Sequence, residues 1–208
     1  MALPDLTGLR SSLQSSAVES NAEIEEMPAK ARATIEDLYH VPEHGKAELI
    51  DGELVRTSPT GALPGLAGGA IYASLRAYQK CHGGGWAYPD NVGFIVELPK
   101  RQSFSPDAAF HRGEKPSMKF VNGAPVFAVE VRSEGNYGPA AEVAMAAKRD
   151  DYFAAGSLVV WDVDLLSDAP IRAFGAGPGE PALFRRGEIA NAEPAVPGWR
   201  FAVDELFE

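Results

Sequence analysis

A glutamate inside an apolar strand constrains this chain more than any other feature. Val126, Phe127, Ala128, Val129, Glu130 and Val131 form a short run rich in β-branched residues, the pattern of a strand buried on both faces. A buried carboxylate without a partner is costly, so Glu130 must be neutral, paired with a cation or coordinated to a metal. The preceding predicted strand, residues 104–111, carries Asp107 directly after Pro106, a residue suited to a strand start or a sheet edge. Two carboxylates on neighbouring strands can then meet.

A third charged residue comes from a helix. Gly138-Pro139 signals a helix start and Gly156 a stop, which predicts a helix over 139–155. Counted in threes and fours, Ala141, Ala144, Met145, Lys148, Tyr152 and Ala155 share one stripe, so Lys148 interrupts the buried face. An inward lysine beside a strand with a buried glutamate is a natural partner for that glutamate or for an anionic substrate. Arg132 is a second candidate partner for Glu130, and a buried salt bridge would account for the cluster as well as a catalytic centre would.

The chain of 208 residues is long enough for one well-filled core, and its 16 prolines and 21 glycines are spread as short turns rather than repeats. One domain over 28–208 is expected, preceded by a Ser-, Glu- and Ala-rich extension at 1–27. A formal charge of −10 argues against a general affinity for nucleic acid, although a bound metal and a few local cations can reverse the field where it matters. One cysteine, Cys81, cannot form an internal disulfide, and neither a secretory signal nor a membrane-spanning run stands out. These features predict a cytoplasmic protein that is not held in a membrane.

Taken in order, residues 28–39 suit a short helix, and Asp51-Gly52 between alternating segments predicts a hairpin over 46–59 with Ile50 opposite Glu53 and Glu48 opposite Val55. Glu48 and Glu53 then share a face. A solvated face is the commoner place for two glutamates on a lone hairpin, but the apolar residues between them leave a buried arrangement open. Residues 60–69 read as a glycine-rich loop without phosphate-binding spacing, followed by a helix over 66–81. Strands are expected over 86–98 and 102–110 as one antiparallel pair, then a polar loop over 111–123 whose Arg112, Lys115 and Lys119 form the best local basic patch. Residues 158–163 predict another buried strand, with Asp162 and Asp164 as lesser candidate ligands, and shorter strands are expected over 171–174, 182–185 and 199–203.

Carboxylate oxygens are hard ligands suited to magnesium or manganese, which favours phosphodiester cleavage with Lys148 steadying developing charge or the nucleophile. The four histidines, His40, His44, His82 and His111, have no zinc spacing, and no Gly-x-Ser-x-Gly elbow occurs.

The order of motifs resembles the Uma-two family of restriction endonucleases (DUF820). The likeness rests on Thr34-Ile-Glu-Asp-Leu-Tyr, Ala47-Glu-Leu-Ile-Asp-Gly-Glu-Leu, Ser58-Pro59, Ser105-Pro-Asp-Ala-Ala-Phe, Ala128-Val-Glu-Val-Arg-Ser, Lys148 and Val160-Trp-Asp-Val-Asp. The resemblance implies the PD-(D/E)XK nuclease superfamily: an α/β (α+β) fold with a mixed, curved sheet flanked by helices, and a restriction-endonuclease-like core. It implies Asp107, Glu130 and Glu53, and less directly Glu48, as ligands of Mg2+ or Mn2+. Arg132 stands where the superfamily motif has lysine, and the resemblance moves that role to Lys148 on the following helix. Double-stranded DNA is the implied substrate and a homodimer a common working form. A catalytically silent nuclease-fold module for binding or assembly is the rival expectation. Pro64 and Gly65 stand where the family often has histidine, and Glu134 replaces a usual proline.

Overall fold

The computed structural model describes residues 32–41 and 45–208. The extension expected at 1–27 and the first residues of the helix expected at 28–39 lie outside the described residues. The described part of that helix, α1 (Ile35–Tyr39), is opened by Thr34 and Asp37, whose side chains and backbone amides cap each other reciprocally. Strands β1 (Ala47–Ile50) and β2 (Glu53–Arg56) form the expected hairpin, with Ile50 opposite Glu53 and Glu48 opposite Val55. Both turn residues have positive φ, 51° at Asp51 and 75° at Gly52, which matches a two-residue turn to the twist of its strands.

Helix α2 (Ala62–His82) starts earlier than expected and absorbs most of the stretch that reads as a loop. Pro64 lies in its first turn, where a missing N–H leaves no helical bond unmade. Gly68 is buried against the sheet, and a Cβ there would lie 3.6 Å from both the Cβ and the carbonyl oxygen of Asp107. Gly68 therefore sits at the close contact of the helix with the Asp107 bend.

The long antiparallel pair is present but broken in two. Strand β3 (Trp86–Pro89) pairs with β6 (Ala108–His111), whereas β4 (Phe94–Ile95) pairs with β5 (Ser103–Phe104) in a different sheet. The break falls at Asn91, with φ of 63°, on one side and at Pro106-Asp107 on the other, where proline cannot donate to a ladder. Strand β7 (Val121–Asn122) pairs parallel to β4 inside the stretch expected as a plain loop.

Strand β8 (Phe127–Val131), helix α3 (Pro139–Ala154) and strand β9 (Val159–Val163) form a βαβ unit with β8 and β9 parallel. Strands β10 (Ile171–Gly175) and β11 (Ala182–Phe184) extend the sheet antiparallel, and β12 (Ile189–Ala190) pairs separately with β13 (Phe201–Ala202). The main sheet is mixed, in the order β11-β10-β9-β8-β6-β3. Alternation along its strands splits the core. Phe110, Phe127, Val129 and Trp161 pack with Ile71 and Leu75 of α2 and with Trp199 and Phe201, while Ala109, Ala128 and Val160 pack with Tyr152 of α3 and with Phe94 and Phe104. Glu130 and Asp162, paired in register, fall between residues of the first set and so point to the α3 side.

A Gly inside a helix costs about 0.5–1 kcal/mol relative to Ala, and a Cβ at 3.6 Å makes ordinary contact, so Gly68→Ala is expected to raise stability by about that amount. Gly68→Leu would force α2 away from Asp107 and lose about 1–3 kcal/mol. Urea unfolding of both variants checks this; a destabilised Gly68→Ala would contradict the packing described.

Candidate active site

Asp107 is locked to the strand beside it. Its backbone N–H donates to the Val129 carbonyl at 2.9 Å, and its carboxylate Oδ2 accepts the Val131 N–H at 2.7 Å. The proline-induced bend thus lets a side chain take over a ladder position from the backbone. The other oxygen, Oδ1, receives Lys46 Nζ at 2.7 Å, and the same ammonium reaches Asp90 Oδ1, also at 2.7 Å. Burial alone would lower the Lys46 pKa, but Asp107 and Asp90 more than offset it, so the ammonium is held above its ordinary value.

Glu130 projects from the central strand β8 toward α3. Lys148 Nζ donates to its Oε2 at 2.8 Å and the Tyr152 hydroxyl to its Oε1 at 2.7 Å. The i, i+4 spacing of Lys148 and Tyr152 puts both donors on one helix face. Lys148 also meets Glu48 Oε1 at 2.9 Å, while Glu48 Oε2 accepts from Arg101 at 2.6 Å and its Oε1 from the Ser105 N–H at 2.9 Å. Arg101 continues to Asp151 on α3 at 2.8 Å. The hairpin, the β4–β5 sheet, β8 and α3 are therefore joined through one chain of charges.

The electrostatics distinguish the two glutamates. Burial and the nearby negative charges of Asp107 and Glu48 raise the Glu130 carboxyl above its ordinary value despite Lys148. Burial also acts to raise Glu48, but Lys148 and Arg101 reverse the effect and its carboxyl lies below the ordinary value. Lys148, opposed by burial but facing both glutamates, is raised and stays charged. Burial and the adjacent carboxylates push the Tyr152 hydroxyl well up, so it remains a donor.

Asp107, Glu130 and Lys148 line one open cleft of about 740 Å³, together with Lys46, Glu48 and Asp90. Glu53 stands at the exposed start of β2, next to the turn, and is not among the lining residues. Glu48, two rungs deeper in the hairpin, is only 6% exposed and reaches the site instead. The depth to which the hairpin inserts separates the two. Lys46 carries no site signal in the sequence, and for Asp90 the local sign is the turn-forming pair Asp90-Asn91 inside a strand pattern. Arg132 does not meet Glu130. It is 3% exposed and forks onto both oxygens of Asp162 at 2.8 and 2.9 Å, with Glu142 and Arg172 completing that network. Asp162 is thereby committed elsewhere, and Asp164 accepts from the Tyr137 hydroxyl and the Leu166 N–H. Arg112, Lys115 and Lys119 line a different pocket, so the basic patch does not form the floor of this cleft.

A family model, described as Uma2, "Putative restriction endonuclease", matches residues 33–204. The chain belongs to the Uma2 family. This is the Uma-two family that the order of motifs resembles, and membership carries with it a nuclease family's general function. A crystal structure described as a "putative nuclease belonging to DUF820 from Anabaena variabilis ATCC 29413" is similar over 84% of this chain and 97% of that chain, with a TM-score of 0.65 and 13% sequence identity. At that identity the likeness establishes the fold, a mixed α and β arrangement of the nuclease-like kind. No curated protein matches the chain.

Among the described residues, no three His, Cys, Asp or Glu side chains stand together as a metal cage. Magnesium does not require one, because it keeps several waters and binds through one or two carboxylates plus substrate phosphate. Two hard carboxylates that line one cleft, Asp107 before β6 and Glu130 on the adjacent β8, suit such an ion. Asp107 and Glu130 thus fit a metal ion as ligands.

Glu48, depressed in the folded chain, contributes stability above the ordinary carboxyl value of 4.5 that is lost as pH falls through its folded value. Glu130, raised, works oppositely: its contribution is present at low pH and is lost as pH rises from 4.5 through its folded value. Glu48→Gln, which strips Arg101 and Lys148 of a buried counter-charge, is expected to cost about 3 kcal/mol at pH 7. It should also make the loss of stability below pH 4.5 shallower. Urea unfolding at neutral and acid pH measures both; an unchanged acid slope would show that Glu48 is not the group responsible.

Proposed function

We propose that this protein is a metal-dependent endonuclease that hydrolyses phosphodiester bonds of double-stranded DNA. The observation that carries the reading is the meeting, in one cleft, of Asp107 from the start of β6, Glu130 from β8 and Lys148 from α3. Asp107 and Glu130 would hold a magnesium or manganese ion, with waters and a substrate phosphate oxygen filling the remaining positions. When bound, the ion polarises the phosphate and lowers the pKa of a coordinated water.

The chain's own residues account for the rest. Lys148 places a fixed positive charge beside the scissile phosphate, where charge builds in the transition state, and its charge is secured by Glu48 and Glu130. Tyr152, from the same helix face, holds the other oxygen of Glu130, Oε1, which fixes the carboxylate's rotation. The Asp107–Val131 bond fixes the other ligand without spending the Oδ1 atom. With a formal charge of −10 over the chain, the site's own cations and its metal would supply the attraction for DNA.

The alternative of a silent nuclease-fold module has one observation in its favour: every carboxylate oxygen of Asp107, Glu130 and Glu48 already meets a protein donor. In that reading the cluster serves stability only. Plasmid cleavage in magnesium separates the two. The nuclease reading expects Asp107→Asn and Lys148→Met each to lower the cleavage rate by about 100-fold or more, with calorimetric magnesium binding lost in Asp107→Asn and kept in Lys148→Met. Wild-type protein that neither binds magnesium at millimolar concentration nor nicks the plasmid would leave the silent module as the account.

A further inference from the structure

Lys46 occupies the Asp107 oxygen that a metal would take. Asp107 Oδ2 is tied to the backbone by the Val131 N–H, so Oδ1 is the oxygen turned to the cleft's side chains, and Lys46 Nζ sits on it at 2.7 Å. The lysine side chain is 18% exposed and lines the cleft, and its second contact is Asp90 Oδ1, whose side chain is 49% exposed on the cleft wall. Asp90 is itself steadied by the Asn91 N–H, which donates to the same Oδ1 at 2.6 Å. A divalent ion and an ammonium cannot share Oδ1 closely, since two positive charges would then stand within a few ångströms of each other.

We propose that Lys46 is the resident counter-ion of the metal site: it neutralises Asp107 when no metal is present, and on metal binding it yields Oδ1 while remaining paired with Asp90. Asp90 is then a positioning residue that gives the displaced ammonium a place to stay. The exchange costs little because one of the two ion pairs survives it, and the cleft never holds an uncompensated Asp107 carboxylate. The released lysine remains at the cleft wall on the Asp90 side. This inference rests on the metal-dependent reading of the same site and assigns that reading a built-in competitor.

Calorimetric titration of the whole protein with Mn2+ alone tests it. Lys46→Met should bind Mn2+ on the order of fivefold more tightly than wild type, since a partly exposed ion pair no longer competes. Asp90→Asn should bind a few-fold more weakly, because the lysine then has only Asp107 to rest on. The decisive comparison is the double variant: if Asp90 acts through Lys46, Asp90→Asn has no effect in the Lys46→Met background, whereas independent electrostatics would give an additive loss. Thermal unfolding with and without Mn2+ confirms that each variant is folded and should show a larger Mn2+-induced rise in Tm for Lys46→Met. Wild-type Mn2+ binding with unchanged affinity in Lys46→Met, or with additive effects in the double variant, overturns the role of Lys46 and leaves the metal centre standing. Absence of Mn2+ binding in both wild type and Lys46→Met overturns the two together.

Discussion

The contact of Lys148 with two glutamates is the interaction on which the rest of the structure depends. Glu130 cannot remain charged in a central strand without a cation, and the cation comes from the helix that connects that strand to its parallel neighbour. Glu48 supplies the second counter-charge and brings the hairpin with it, while Arg101 carries the chain on to Asp151 of the same helix. Four separate pieces of secondary structure are thereby held around one cleft. Removing a single member leaves another buried charge exposed to the low-dielectric interior, which is why the network is cooperative rather than a sum of pairs.

That arrangement also bears on how an acidic chain would admit the polyanion proposed as its substrate. The carboxylates are not left as a bare negative cluster, because Lys46 pairs with Asp107 and Lys148 with Glu130. Four carboxylates, Glu48, Asp90, Asp107 and Glu130, still outnumber these two ammoniums in the cleft, and a divalent ion bound there would offset the remaining negative charge that would otherwise repel the phosphate of the proposed substrate. The second ionic network, Arg132 with Asp162, Glu142 and Arg172, lies across the next strand pair and does a different job: it fastens the start of α3 to β9 and β10. The two networks divide the acidic residues on the α3 side of the sheet between structure and the cleft.

Features that depend on neighbours in sequence were legible before the fold was known. Asp51-Gly52 announces its turn, the β8 and β9 runs announce buried strands, and the helical stripe places Lys148 inward, because each signal is a periodicity or a dihedral requirement of a few residues. Features set by tertiary approach were not. Gly68 reads as a loop residue although it lies inside α2 where the helix meets Asp107, and the long hairpin gave no sign that its halves belong to different sheets. The choice between Glu48 and Glu53 depended on how far the hairpin inserts, which two residues of identical chemistry cannot reveal. Lys46 was invisible for a similar reason: its partner Asp107 is 61 residues away, and only the fold brings them together.

The most direct test of the central claim is a crystal structure grown with Mn2+ and measured for anomalous scattering from the metal. The account predicts a manganese peak in the cleft with Asp107 Oδ1 and a Glu130 carboxylate oxygen both within about 2.3 Å, and water on the remaining positions. A cleft in which both carboxylates keep their lysines and no manganese is found, or manganese bound only at surface carboxylates elsewhere, would contradict it.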